Sequence, residues 1–178
     1  MNETTTVGTG KAHPQKLVMY HPNSAGTGAA LQLEPRLNRQ ASDRYNFFFL
    51  ELAAQKGVAD RAGGKAGNAS FDWEHKLTVK LDFTDLCEIL AVLEGRAERL
   101  GGQKNGLFHR NGESSTVITL QKGDRGGYFL GLSKKSGEGP VLRVSILLSD
   151  AEMIGLRCVL QGGLFFLSFH DYLFPPAA

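Results

Sequence analysis

The sequence predicts an α+β domain: two packed four-stranded antiparallel sheets with two helices, ordered ββββα and then ββββα again. Three observations lead there. The hydropathy period switches from 2 to about 3.6 twice, after Phe83 and after Leu148. The two switches are related by a weak repeat. Val79, Leu81, Phe83, Thr84, Asp85 and Ile89 recur 65 residues later as Val144, Ile146, Leu148, Ser149, Asp150 and Ile154. Finally, 178 residues that are 42% hydrophobic suit one domain with one core.

Residues 1–15 are polar and small and read as a flexible N-terminal arm, 16–170 as a single domain, and 171–178 as a C-terminal tail. Lys16 to Tyr20 is a short strand. Ala29 to Glu34 is a second, ended by Pro35. Tyr45 to Ala53 is apolar on both parities, which marks a central strand. Gly57 to Ser70 reads as a flexible loop. From Phe71 to Phe83 the letters alternate, with Phe71, Trp73, His75, Leu77, Val79, Leu81 and Phe83 on the buried side of one long strand. Thr84 to Leu100 follows as a helix with one apolar stripe, stopped by Gly101 and Gly102. Asp82, Asp85 and Glu88 suit its start as capping groups. Gly106 to Arg110, Ser115 to Gln121, Gly127 to Lys134 and Val141 to Leu148 are strands joined by glycine-containing hairpin turns. Ser149 to Phe166 is the second helix, opened by a Ser149–Glu152 capping box. It is apolar nearly all round, more than one sheet can cover, which predicts a closed homo-oligomer.

Enzyme chemistry is hard to find, and no cofactor is implied. The five histidines make no metal-ligand spacing, and no G-x-S-x-G occurs. His75 reads as a half-buried structural residue. Gly26-Thr27-Gly28 precedes a strand instead of opening a helix, so it is not a dinucleotide fingerprint. Gly63-Gly64-Lys65-Ala66 lacks the Ser/Thr of a phosphate loop. Cys87 and Cys158 fall in helical patterns and read as reduced core thiols. No continuous apolar run reaches the roughly 18 residues of a membrane helix, and the start of the chain has no targeting pattern. A cytoplasmic location with no membrane partner is the expectation.

The net charge of +2 hides an asymmetry. From Phe71 to Leu100 there are seven acids against four Lys/Arg; from Gly101 to Ser145 there are seven Lys/Arg against three acids. On the later strands Phe129, Ser133, Arg143 and Ser145 fall opposite the apolar parity. Cations, hydroxyls and a ring on one wet face are what a single strand needs: charge for phosphates and a platform for bases. The same letters also describe an ordinary solvated sheet face.

Four stretches resemble the Whirly family of single-stranded-DNA-binding proteins, in the family's order. They are Ala29-Ala30-Leu31-Gln32-Leu33-Glu34-Pro35-Arg36; Phe71-Asp72-Trp73-Glu74-His75-Lys76; Leu81 to Leu93; and Gly126 to Leu148 with the helix after Ser149. The likeness spans about Met19 to Phe169. Where the family carries lysines just before Ala-Ala-Leu, this chain carries Gly26 and Gly28.

The resemblance implies two four-stranded sheets around a helix-loop-helix core, assembly as a homotetramer, and binding of single-stranded DNA with little sequence preference. A role in transcription regulation or DNA maintenance goes with it. Carried onto this chain, Lys76, Lys80, Lys122, Arg125, Lys134, Lys135 and Arg143 would contact phosphates. Trp73 and Phe129 would offer stacking platforms, with Tyr45 and Phe47 as neighbours, and Thr78 a hydrogen bond. Trp73 shares parity with Leu77 and Val79, which favours core packing over stacking for it. An RNA-binding or RNA-annealing protein on the same fold, and a scaffold that binds no nucleic acid, are the competing readings.

Overall fold

The computed structural model describes residues 15–36, 46–59, 68–124 and 126–173, with side chains to Phe169. The proposed arm at 1–14, most of the loop at 57–70, Tyr45, Arg125 and residues 174–178 lie outside the described residues. The first blade is built from β1 (Leu17–His21), β2 (Ala29–Arg36), β3 (Phe47–Gly57), β4 (Ser70–Phe71) and β5 (Leu77–Leu81), and is followed by α1 (Phe83–Leu93). The second is built from β6 (Leu107–Asn111), β7 (Ser114–Lys122), β8 (Tyr128–Ser136) and β9 (Leu142–Leu148), followed by α2 (Asp150–Leu173). Every pairing is antiparallel. The order is β1-β2-β3 with β4 and β5 sharing the far edge of β3, and β6-β7-β8-β9. The ββββα repeat is therefore present in three dimensions.

Alternation along each strand decides which side is buried. Leu31 and Leu33 of β2 sit opposite Leu52 and Leu50 of β3, and these opposite Leu77 and Val79 of β5. This inner face packs on Ile118, Leu120, Leu130, Leu132, Ile146 and Leu148 of the second blade, with β9 lying over β2 and β3. Both helices close the same core. Leu33, Leu50, Leu81, Ile89, Leu120, Leu130, Leu156 and Leu160, drawn from both sheets and both helices, line one small internal void. Burying such a side chain stabilises by about 1.5–3 kcal/mol relative to leaving it wet.

The expected single strand from Phe71 to Phe83 is two pieces, and Phe83, expected on its buried side, is exposed at the start of α1. Phe71 pairs with Gln55 and Leu77 with Leu52, so β4 and β5 continue along one edge of β3. Between them Asp72 accepts from the backbone N–H of His75 at 3.2 Å and from its ring Nδ1 at 2.9 Å. That local turn breaks the parity. The His75 side chain is 78% exposed, not half-buried, and Trp73 is half-buried in the turn. His75 also holds the Asp72 carboxyl below its ordinary range. Pro35 does not end β2, which runs on to Arg36. It pairs with Phe48 beyond the reach of β1, where β2 has become an edge.

The first helix stops at Leu93, not Leu100. Glu94 caps it and Gly95 takes a positive φ of 71°. Leu100 is buried all the same, because its N–H bonds Leu120 O at 2.9 Å. Cys87 and Cys158 are both exposed, contrary to the expected core thiols, since each lies off the buried stripe of its helix. The second helix is longer than expected. Its Asp150–Phe169 stretch is long and apolar enough, by length and composition, to cross a membrane, although polar residues interrupt its apolar runs. Met153, Leu156, Leu160 and Leu167 form its buried stripe on the core, while Ile154, Val159, Phe165 and Phe169 stand exposed on other sides.

Each helix begins with a capping box that is also held from the opposite blade. At α1, Asp85 N–H donates to Asp82 Oδ1 (3.0 Å) and Asp82 N–H to Asp85 Oδ2 (2.9 Å). At α2, Glu152 N–H donates to Ser149 Oγ (3.3 Å) and Ser149 N–H to Glu152 Oε2 (2.8 Å). His109 of β6 then reaches Asp85 Oδ1 at 3.1 Å, and His21 of β1 reaches Glu152 Oε1 at 2.7 Å. Asp82→Ala removes the first cap and is expected to lower unfolding free energy by about 1 kcal/mol, read as a shift of the urea midpoint at constant slope.

The two carboxylates respond to pH in opposite senses. Burial raises Glu152, but hydrogen bonds from Ser149 and His21 outweigh it, so its net range is lowered. Its contribution is therefore present above the unfolded-state range and lost as pH falls through the folded one. Burial leaves Asp85 raised. Its contribution runs the other way, falling as pH rises through its folded range. Glu152→Gln is expected to cost about 1 kcal/mol at pH 7 and progressively less below about pH 4. Urea midpoints of both proteins across that interval check it; a constant difference contradicts it.

Candidate nucleic-acid interface

The side of the second blade turned away from the core carries its exposed parity. Register places the residues in rows across the strands. Gln121 pairs with Phe129 and Phe129 with Leu147; Thr119 with Gly131 and Gly131 with Ser145. Next come Phe108, Val117, Ser133 and Arg143, then Arg110, Ser115 and Lys135. Phe108 is 64%, Phe129 45% and Leu147 46% exposed. Arg110, Lys135 and Arg143 are exposed, and among the described residues none of them forms an ion pair. This parity contains no Asp or Glu: Glu113, Asp124 and Glu138 fall in the turns. Unpaired cations, hydroxyls and open rings thus share one acid-free face.

The first blade is built differently. Its outer parity carries two buried carboxylates, Glu34 and Glu51. Burying such a charge is costly unless it is paired. Glu51 accepts from Gln32 Nε2 (2.7 Å), Lys76 Nζ (2.9 Å) and Thr78 Oγ1 (3.2 Å). Glu34 lies 3.0 Å from Lys16 Nζ and 3.0 Å from Arg36 Nη2; the latter contact is off the hydrogen-bonding direction and is ionic only. Lys80 sits 4.4 Å from the centre of the Phe47 ring, and Phe47 meets Phe49 edge to face. Cations on this blade are largely engaged by the protein itself.

The residues singled out by sequence therefore divide. Phe129, Lys135 and Arg143 come together on the acid-free face. Lys76, Thr78 and Lys80 stand on the first blade's outer face, two of them tied to Glu51. Lys122 and Lys134 do not belong to the wet parity. Lys134 shares the inward parity of Leu130 and Leu132, and Lys122 that of Ile118 and Leu120. Lys122 lines a cleft of about 470 Å³ near the end of α1 with Arg99, Gln121, Asp124 and Tyr128. Trp73 lies in the turn between β4 and β5, and Arg125 is outside the described residues. Phe108, Arg110 and Leu147 were missed. The inward positions of Leu107 and His109, and of Ile146 and Leu148, would have pointed to them by alternation alone.

A twice-repeated ββββα unit, with sheets facing outward around paired helices, defines the class of α+β protein to which this architecture belongs. No protein-family model and no curated protein matches the chain. Solved structures do. WHY1 from Arabidopsis thaliana superposes with a TM-score of 0.71 at 21% identity, covering 90% of this chain and 89% of that one. WHY3 from Arabidopsis thaliana gives 0.65 at 22%, covering 86% of each. The plant transcriptional regulator PBF-2 gives 0.65 at 19%, covering 93% and 91%. The chain has the Whirly fold, the arrangement its motif order implied.

Proposed function

We propose that this protein is a non-enzymatic, single-stranded-DNA-binding protein with little sequence preference. In this reading the second blade is its principal binding surface. The observation that carries the reading is the acid-free outer face, where Arg110, Lys135 and Arg143 are unpaired beside exposed Phe108 and Phe129. Such a face attracts any phosphodiester backbone, and its rings stack any base, so affinity comes without base readout. Likeness in fold to a plant transcriptional regulator is consistent with a role in transcription, which is part of the proposal. The working unit is a homotetramer, held by the side of α2 on which Ile154, Val159, Phe165 and Phe169 are open to solvent.

Titration of labelled oligothymidine against a duplex, by fluorescence anisotropy at two salt concentrations, tests this directly. Single strands are expected to bind more tightly than duplex, with affinity falling as salt rises. Equal binding of both forms, or binding of neither, overturns it. Competition between DNA and RNA oligomers of one sequence assigns the sugar preference, since stacking alone does not distinguish the two.

A further inference from the structure

The rows on the second blade are ordered by chemistry. The first, Gln121–Phe129–Leu147, presents a ring and an aliphatic side chain. The second, Thr119–Gly131–Ser145, presents two hydroxyls around a residue with no side chain. The third and fourth end in Arg143 and Lys135 and include Arg110. Successive rows are two residues apart, roughly 6.8 Å along the strands. A nucleotide has the same sequence of chemistries: flat base, oxygen-rich sugar, anionic phosphate.

Gly131 forms the middle of this gradient and is not there for its backbone. It lies mid-strand with an ordinary φ, a place where glycine weakens a sheet. A Cβ at this position would come 2.7 Å from Thr119 Oγ1 and 3.7 Å from Ser145 Cβ. Thr119 in turn directs its hydroxyl toward Gly131 O at 3.4 Å. Gly131 is buried, and the space left by its absent side chain is taken by the Thr119 hydroxyl, which is thereby held low in the middle row between the apolar row and the cationic rows. Phe108, at the β6 edge of the third row, is the ring outside the first row, and it stands at the opposite end from Arg143.

Resting on the single-strand-binding reading above, we propose that the nucleic acid crosses the second blade perpendicular to its strands in one fixed orientation. Its bases lie on Phe129 and Leu147, its sugars over the Thr119 and Ser145 hydroxyls, and its phosphates beside Arg143 and Lys135. Gly131 is then a positioning residue: it contributes no contact of its own and makes room for the Thr119 hydroxyl beneath the sugars.

Modified oligothymidines test the orientation. Phe129→Ala is expected to weaken binding of the normal oligomer by about 5- to 150-fold, and to bind an abasic oligomer no worse than the wild type does. Arg143→Gln is expected to lower the salt slope by about one unit, and to lose sensitivity to neutral methylphosphonate linkages. Gly131→Ala, whose Cβ must displace Thr119 Oγ1, is expected to weaken binding at least about tenfold at a temperature where its circular dichroism is still that of the wild type. Unchanged affinity in Gly131→Ala, or losses from Phe129→Ala and abasic substitution that simply multiply, overturns the path while leaving single-strand binding intact. Failure of the wild type to bind any single strand instead overturns the function on which the path rests. The paired Phe129 and abasic measurements decide the question even if Gly131→Ala does not fold.

Discussion

A Phe129→Ala/Arg143→Gln double variant is expected to lose at least about 30-fold in affinity for oligothymidine at moderate salt, keeping its circular dichroism and melting temperature. The size follows from what the two residues supply. A ring on which a base stacks contributes about 1–3 kcal/mol, and a neutralised phosphate adds a further salt-dependent increment. Neither side chain holds up the core: both project from the outer parity of β8 and β9. The informative control is on the other blade. Lys76→Gln/Lys80→Gln removes two cations from the first outer face, against one from the second, yet is expected to change affinity by less than about threefold. Lys76 is already neutralised by Glu51, and Lys80 lies over Phe47. Equal losses in the two double variants would mean that net charge governs binding and that the built face does not.

The second large effect concerns assembly. Ile154→Glu/Phe165→Glu is expected to convert a homotetramer into monomers at micromolar concentration, with little change in secondary structure. Both side chains are 59% exposed on α2, and the buried stripe at Met153, Leu156, Leu160 and Leu167 is untouched. Each large apolar group taken out of water at an interface is worth about 1.5–3 kcal/mol, and a closed assembly uses each one several times over. Two buried carboxylates would replace that gain with a desolvation cost. Sedimentation equilibrium on both proteins gives the answer. A wild type that sediments as a monomer would leave the apolar side of α2 without the partner assigned to it.

Much of this architecture was legible because local rules and the global fold agree. The Ser149–Glu152 box, the alternation of β8 and β9, and the switch of period into each helix follow from neighbouring letters alone. The failures have a common cause: identical letters can serve different geometries. From Asp72 to Lys76 the alternation continues on paper while the chain turns, because an Asp72–His75 hydrogen bond is silent in hydropathy. Apolar spacing runs on past Leu93 through Ala97 to Leu100, although Leu100 reaches the core from an extended segment bonded to β7. The candidate site was half-legible. Counting charge by segment found the basic blade but put Lys122 and Lys134 on its wet face. Counting by parity separates them from Lys135 and Arg143. Glu34 and Glu51 gave no signal, because their partners are fixed only by the register of β2, β3 and β5.

The crossed histidines make the two halves of the chain depend on one another. His21, from the first half, steadies the helix of the second, and His109, from the second half, steadies the helix of the first. That reciprocal exchange is the pattern of an isologous contact between twin subunits, here made between the two halves of one chain. A polypeptide ending near Gly101 would keep an α1 without its histidine and a histidine without its α2. Such a half has its natural complement only in another half, so the single chain behaves as a dimer that cannot dissociate.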